Sequence, residues 1–175
     1  MKYRQLTKEQ FESLHKEFAL FLASQKIDVK EWKQLKEEKP HVAEEEMNVF
    51  SDVVWDDVLT KTNYLEHFSK QSINLFQCEE HEIRRIYVKV NMDINLLEKE
   101  GYEWLLSNVN DDAVEYFTGI KEYADERNKE VFDLIEKGSV ISKGELFTYF
   151  NQYSVLRSWL VPILAISSII VKFLN

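Results

Sequence analysis

The segment that most constrains the fold is Ser72–Val90, in which two runs with the spacing of β-strands flank a short acidic loop. In these runs apolar residues alternate with polar or aromatic ones, the period of two expected when one face of a sheet is buried. The residues predicted to form that face are Ile73, Leu75, Ile86, Val88 and Val90. Because an isolated hairpin is only marginally stable in water, we expect an α+β fold in which helices pack on a small antiparallel sheet.

Most of the chain before this hairpin has the pattern of helices. Thr7 with Gln10, and Asp28 with Glu31, have the spacing of capping boxes, which mark helix N-termini. After Thr7 one helix is predicted, because apolar residues recur at helical spacing. The apolar face of that helix consists of Phe11, Leu14, Phe18, Phe21 and Leu22. Another helix is expected from about Pro40 to Thr60, since proline is well tolerated in a first helical turn.

The chain after the hairpin mixes helical and extended patterns. Val114–Phe117 is compatible with either a strand or the start of a helix. Gly138 is expected to end a helix, because glycine readily adopts the conformation that terminates one. The other predicted elements are a short strand at Tyr64–Phe68 and helices near Tyr102–Leu106, Tyr123–Lys137 and Ser142–Phe150.

Charge and cysteine content exclude several classes of protein. The formal net charge is −9, and the longest basic cluster is Arg84-Arg85. A chain with this net negative charge and no larger basic cluster repels the phosphate backbone of nucleic acid, so nucleic acid is not an expected partner. The single cysteine, Cys78, rules out an internal disulfide and a cysteine-based zinc site. The N-terminal residues lack the apolar stretch of a secretory signal, and we expect a cytoplasmic location.

The C-terminal segment, residues 153–175, differs from the rest of the chain. It has no acidic residue, and its stretch Trp159–Val171 carries no charge at all. As a helix, that stretch would be about 20 Å long, shorter than the roughly 30 Å hydrocarbon core of a bilayer. A longer helix from Tyr153 would span a membrane if the cations of Arg157 and Lys172 reached the interfaces.

Three interpretations of this segment remain open: attachment to the inner face of the membrane, burial in the protein core, and a contact with a protein partner or a second copy. Length alone favours burial or an interface over spanning. The residues expected to make the membrane or partner contact are Trp159, Leu160, Ile163, Ile166, Ile169, Ile170 and Phe173. We therefore divide the chain into a globular α+β domain, residues 1–152, and an apolar segment, residues 153–175.

A catalytic or metal site is a weaker interpretation. Cys78 and His81 are three residues apart beside the hairpin loop, and His67 lies in the preceding predicted strand. A thiol beside an imidazole is the arrangement of a cysteine nucleophile, whereas zinc normally needs four ligands and no second pair is present. Glu12 and His15 also lie one helical turn apart, but di-iron bundles require such a pair on each of two helices. No metal or cofactor is therefore predicted.

An acidic stripe, Glu45, Asp52 and Asp56, lies along the predicted helix after Pro40. Carboxylates in such a stripe can hold a hard cation or face a basic partner. More often they are the solvated side of an amphipathic helix.

Four segments of the chain together resemble a family of short, uncharacterised bacterial proteins of unknown function, over about residues 1–151. The segments are AEEEMNVFSDVVWDDVL (43–59), YLEHFS (64–69), EGYEWL (100–105) and KGELFTYF (143–150). They contain no catalytic signature, so the resemblance implies no activity and no site residues. It implies that members end near Phe150, which makes the apolar segment an addition to the family's pattern.

The function that these observations favour is that of a non-enzymatic, cytoplasmic interaction protein, for which attachment to the inner face of the membrane through the C-terminus is one of the interpretations left open. Its expected partner is a protein or a second copy of the chain. The alternative is a small hydrolase or metal-dependent enzyme that uses His67, Cys78 and His81, or the acidic stripe.

Overall fold

The computed structural model describes residues 1–153, and the chain divides into two compact units. The first unit is Met1–Lys61, and the second begins at Thr62. As the sequence predicts, helices are combined with an antiparallel sheet, so the α+β fold class is confirmed.

The described elements of the first unit are helices: α1 (Lys8–Ser13), α2 (His15–Ser24), α3 (Val29–Glu38) and α4 (Pro40–Lys61). Both predicted capping boxes are present, at the start of α1 and of α3. The single helix predicted after Thr7 is interrupted at Leu14, where φ is −102° and ψ is 22°. At the interruption the imidazole Nδ1 of His15 lies 2.9 Å from the carbonyl oxygen of Glu12, and such a side-chain contact competes with the regular helical bonds.

Aromatic rings form the interior of the first unit. Phe18 is central, with its ring centroid 5.0 Å from that of Phe50, 5.4 Å from Trp32 and 5.5 Å from Phe11. These distances are typical of favourable aromatic pairs. The cluster joins all four helices, which explains how short helices of limited intrinsic stability are held together.

The second unit contains a five-stranded sheet with the order β4-β3-β2-β1-β5, in which neighbouring strands are antiparallel. Its strands are β1 (Tyr64–Ser69), β2 (Ser72–Cys78), β3 (Glu82–Val90), β4 (Val114–Glu122) and β5 (Val140–Ser142). The predicted hairpin is β2–β3, with Ile73 opposite Val88 and Leu75 opposite Ile86, so the expected register of apolar residues is confirmed. The ambiguous segment after Ala113 is the start of β4, and no pattern predicted β5.

One face of the sheet, the core face, is covered by α5 (Lys99–Ser107) and by the helical residues 145–153. The fully buried residues of this core include Leu75, Val88, Leu105, Val114 and Phe150. The opposite face, here called the outer face, carries Asn74, Phe76, Arg85, Tyr87, Phe117 and Gly119.

The helix α6 (Arg127–Glu136) borders the outer face. It ends as predicted at Gly138, whose φ of 95° lies in the left-handed region that favours glycine. The N–H of Gly138 donates to the carbonyl of Ile135 at 2.9 Å, and the N–H of Ser139 donates to that of Leu134 at 3.0 Å. These bonds satisfy carbonyls that the end of the helix leaves unpaired.

Candidate functional site

A groove of about 640 Å³ lies on the outer face, between strands β3 and β4 and the helix α6. Phe76, Ile83 and Leu134 supply apolar surface to its lining, and Arg85 and Lys137 supply positive charge. This volume is within the usual range of roughly 300–1,000 Å³ for ligand sites. The groove is therefore large enough for a few side chains of a partner.

The position of Arg85 is fixed by its neighbours. Its Nε donates to Oδ1 of Asn74 at 2.9 Å, and its Nη2 donates to the same oxygen. The guanidinium carbon also lies 5.2 Å from the ring centroid of Tyr87 and 5.9 Å from that of Phe76, which are cation–π distances. Asn74 itself is only 9% exposed, so the acceptor that holds the cation is well packed.

Among the described residues Arg85 forms no direct ion pair, although the lining of the groove also includes the carboxylates of Asp125, Glu130 and Asp133. Within residues 1–153, no carboxylate lies at ion-pair distance from its guanidinium. A guanidinium has five N–H donors, and the bonds to Asn74 use only two of them. The side chain is therefore a fixed cation, partly exposed, with donors available for a carboxylate of a ligand.

At one end of the groove, by contrast, opposite charges are already paired. Nζ of Lys121 lies 2.7 Å from the carboxylate of Glu130, which also accepts the backbone N–H of Asp125 at 3.0 Å. The bond from Lys121 is the main reason that the pKa of Glu130 is lowered below its ordinary value. Glu130 therefore stays ionised and occupied, and Arg85 is the better candidate for ligand recognition.

The predicted residues His67, Cys78 and His81 do not come together. His67 lies on β1 opposite Asn74, which is four residues along β2 from Cys78, or about 13 Å at the usual strand rise. His81 lies in the exposed β2–β3 loop, where its Nε2 is 3.7 Å from the carboxylate of Glu80. No substrate bond could be reached by all three side chains at once.

The chemistry of Cys78 also differs from that of an activated nucleophile. Its side chain is buried, and burial raises its pKa to about 11, although the charge of Arg127 and a hydrogen bond with Tyr123 act in the opposite direction. The reactive form of cysteine is the thiolate. At neutral pH the thiol of Cys78 is therefore protonated and resembles a small buried apolar group.

The acidic residues predicted as a cation or partner site are largely engaged within the first unit. The carboxylate of Asp52 accepts the backbone N–H of Lys2 at 2.7 Å and that of Tyr3 at 2.9 Å. Asp56 accepts the hydroxyl of Tyr3 at 2.6 Å and pairs with Nζ of Lys2 at 3.1 Å. Glu45 is exposed. Two of the three carboxylates therefore hold the N-terminal residues on α4.

No group of three or more His, Cys, Asp or Glu side chains within residues 1–153 is arranged to hold a metal ion. For the pair Glu12 and His15, the imidazole contacts the backbone carbonyl of Glu12 rather than combining with its carboxylate. Their contact therefore belongs to the break between α1 and α2, and the two side chains are not arranged to bind one ligand together.

Arg127, the first residue of α6, has a structural role that the sequence did not indicate. Its guanidinium donates to the carbonyls of Cys78 at 3.0 Å and Glu79 at 2.9 Å. These bonds fasten the start of α6 to the end of β2. Because the acceptors are backbone atoms, no side-chain pattern reveals such a contact.

The residues predicted to contact a membrane or partner, Trp159, Leu160, Ile163, Ile166, Ile169, Ile170 and Phe173, lie outside the described residues. In the part of the chain that the structure describes, no helix is both long enough and apolar enough to cross a bilayer.

Comparison with known proteins identifies a family for this chain. The model of a family of unknown function, DUF6495, matches residues 1–155. No curated protein and no solved structure matches the chain. The match confirms the resemblance predicted for residues 1–151, whereas a bacterial origin stays a prediction. Because the family has no assigned activity, any function has to be argued from the residues themselves.

Proposed function

The chain belongs to the family of unknown function DUF6495, and we propose that it is a non-enzymatic, cytoplasmic interaction protein that binds a peptide segment of a protein partner. The groove on the outer face is the proposed binding site. The single observation that carries the proposal is the guanidinium of Arg85, which Asn74 holds in place and which forms no ion pair within the described part of the chain, beside apolar surface.

The chemistry of the groove favours a peptide with one carboxylate between apolar side chains. A carboxylate forms strong, charge-assisted hydrogen bonds with arginine. Because Asn74 and the rings of Phe76 and Tyr87 already hold the guanidinium, little side-chain entropy is lost when a ligand binds. The apolar side chains of the ligand would pack on Ile83 and Leu134.

The charge of the whole chain further limits which peptide segments can bind. At a net charge of −9, the protein repels strongly acidic partners at long range. A segment with a single Asp or Glu in an otherwise neutral or basic sequence would pair with Arg85 and would not be repelled by the net negative charge of the protein. We therefore expect association to be faster for basic partners and to slow as salt is added.

Selection from a random peptide library displayed on phage, with the full chain as bait, tests this proposal. We expect enriched peptides to carry an Asp or Glu flanked by apolar residues. Arg85→Gln should weaken binding of a synthetic enriched peptide by about tenfold or more. Arg84→Gln is the matched control, because Arg84 is the neighbouring residue on the other face of β3 and pairs with Glu82 at 2.9 Å.

The proposal fails if no acid-containing peptides are enriched, or if the Arg85 variant binds them as tightly as the wild type. Equal losses in the Arg84 and Arg85 variants would also count against it, because that result would reflect total charge rather than the groove. Circular dichroism of both variants checks that the fold is retained.

Attachment to the inner face of the membrane is the second element of the proposal, and it rests on the uncharged stretch Trp159–Val171. Flotation with vesicles of phosphatidylcholine and phosphatidylglycerol tests it. The wild type should float with the vesicles, whereas Ile166→Glu with Ile170→Glu should not, because buried charge in a bilayer is costly. Ile141→Glu, at an exposed position of β5, is the control. A wild type that stays with the soluble fraction would refute membrane attachment.

A further inference from the structure

The strand β4 forms an edge of the sheet and exposes apolar side chains. It pairs with β3 on one side, and no other described strand pairs with its far side. Phe117 is 52% exposed and Ile120 is 65% exposed. A long edge strand with exposed apolar residues is a template for pairing with another strand, and proteins usually protect such edges.

The hydrogen bonds at the ends of the β3–β4 ladder show which backbone groups of β4 face this open edge. The N–H of Asn91 donates to the carbonyl of Ala113 at 2.8 Å, and the N–H of Tyr123 donates to that of His81 at 3.3 Å. Hydrogen-bonded pairs alternate along an antiparallel ladder, so the odd-numbered residues of β4 point their backbone groups towards β3. Thr118 and Ile120 therefore point theirs outwards.

The sequence of β4 is complementary to itself about Thr118. If two copies of β4 pair antiparallel around a two-fold axis at Thr118, Phe117 lies opposite the partner's Gly119 and Tyr116 opposite the partner's Ile120. Glu115 then lies opposite the partner's Lys121. Within the bounds of β4, two-fold pairings centred on Tyr116, Phe117, Gly119 or Ile120 place no opposite charges across from each other. The register at Thr118 also joins the outward backbone groups of both strands.

We infer that two copies of this chain associate through their β4 strands, in antiparallel register about Thr118, to form one continuous sheet. Opposite charges directly across an antiparallel pair stabilise it, and like charges destabilise it. Because the two-fold axis repeats every contact, each Glu–Lys pair and each Phe–Gly pair occurs twice.

Charges next to β4 extend the complementarity. Glu115 lies 3.9 Å from Nζ of Lys89 on β3, and Lys121 lies 2.7 Å from Glu130 on α6. Across the proposed interface the charges therefore alternate in sign, in the order Lys89, Glu115, the partner's Lys121 and the partner's Glu130. Within this row no two like charges are adjacent.

Gly119 offers space for the aromatic ring that the pairing brings to it. A Cβ at Gly119 would have nothing within 4 Å, so the backbone there is open. An aromatic side chain across from a strand glycine covers the exposed backbone and stabilises the pair. Arg85 lies beside Gly119 in the β3–β4 register, so the partner's Phe117 would also approach a guanidinium.

This association does not depend on the proposed peptide binding, although the two surfaces adjoin. Gly119 lines the groove, so the partner's Phe117 would complete the groove wall at that end. The two hypotheses can fail separately, because one is measured by peptide affinity and the other by the mass of the assembly.

Complementary charge reversal in the full chain tests the inference. Glu115→Lys places lysines opposite each other twice, and Lys121→Glu does the same with glutamates. By analytical ultracentrifugation we expect a wild-type dimer and a dissociation constant at least about tenfold higher for each variant. An equimolar mixture of the two variants should form a heterodimer of nearly wild-type affinity, because every pair is again of opposite charge.

The matched control is Lys99→Glu, which makes the same charge change at an exposed ion pair on α5, where Lys99 lies 3.7 Å from Glu103. It should leave the dissociation constant unchanged. A monomeric wild type, variants that associate like the wild type, or a mixture that fails to restore the dimer would each overturn the inference. Restoration by mixing also shows that both variants are folded.

Cross-linking provides a second measurement of the register. Residues in a hydrogen-bonded antiparallel pair have Cα atoms about 5.5 Å apart, within the range of a disulfide. Thr118→Cys should therefore give a covalent dimer under mild oxidation, whereas Thr148→Cys, at an exposed position of the helical residues 145–153, should not. Equal cross-linking of both variants, or none at Thr118→Cys, would contradict the proposed pairing.

Discussion

Nε of Arg85 donates a hydrogen bond to the side-chain carbonyl of Asn74 at 2.9 Å, so a neutral, well-packed amide holds a partly exposed cation. Asn74→Ala should lower the free energy of unfolding by about 1–3 kcal/mol, because a bond to a charged donor is lost. Urea unfolding monitored by circular dichroism measures the change. Asn74→Asp keeps the acceptor, so it should retain stability, but its charge would pair with Arg85 and abolish the preference for acidic peptides. Equal stability of the wild type and the alanine variant would contradict the role assigned to Asn74.

Two glycines with different surroundings should respond differently to alanine. At Gly101 in α5, a Cβ would overlap the backbone carbonyl of Asn95, whereas at Gly119 it would meet nothing within 4 Å. Gly101→Ala should therefore cost about 1–3 kcal/mol, which outweighs the better helix propensity of alanine. Gly119→Ala should change stability by less than about 1 kcal/mol. Thermal or urea unfolding of both variants makes the comparison, and similar effects would show that the contact with Asn95 can relax easily.

The thiol of Cys78 gives a prediction about pH. Burial raises its pKa from 9.0 to about 11, so between these values the unfolded chain releases a proton that the folded chain retains. The contribution of Cys78 to stability is therefore fully present below pH 9 and is lost as the pH rises towards 11, by roughly 2–3 kcal/mol. Comparison with Cys78→Ala separates this loss from the titration of the lysines, and the change also includes the contribution of Cys78 to the raised pKa of Tyr123.

Reactivity of the same thiol provides an independent measurement. At pH 8 a thiol reagent such as DTNB should modify native Cys78 slowly and the urea-unfolded chain fast. Fast modification of the folded protein would instead indicate an accessible thiolate and would revive the cysteine-enzyme alternative.

The N-terminal residues should detach from α4 when Asp52 is replaced. Its carboxylate accepts the N–H groups of Lys2 and Tyr3, so Asp52→Ala should cost about 1–3 kcal/mol and should speed hydrogen exchange of the Tyr3 amide. Asp57→Ala is a matched control on the same helix, because Asp57 makes an exposed ion pair with Lys61 at 2.7 Å. That control should cost no more than about 0.5 kcal/mol. Unchanged exchange in the Asp52 variant would show that other contacts hold these residues.

The β2–β3 hairpin could be predicted from the sequence because its alternation reports a physical requirement. A residue such as Val88 must face the core if Ile86 does, so the pattern fixes both the strand and its register. At the end of β4, no face of the strand has to be buried. Phe117 and Ile120 lie on opposite faces yet both are exposed, and an edge strand of this kind leaves no clear periodicity.

The candidate site was harder to predict, because its parts meet only through the sheet. Arg85 and Asn74 are separated by the hairpin loop, and the alternation indicates their common face but not their hydrogen bond. His67 and Cys78 show the opposite problem. They lie on the adjacent strands β1 and β2, but the antiparallel pairing places His67 beside Asn74, far from Cys78. Closeness in the sequence therefore suggested a catalytic site whose side chains do not meet in the structure, and it did not indicate the groove.

The bonds from Arg127 to the carbonyls of Cys78 and Glu79 have a consequence for ligand selection. They tie the start of α6, which borders the groove, to the end of β2, which supplies Phe76 to its lining, so we expect the helix to keep its position when a ligand binds. A groove of fixed width discriminates by size. We expect a peptide with a bulky side chain next to its Asp or Glu to bind weakly, because the helix does not shift to make room for it.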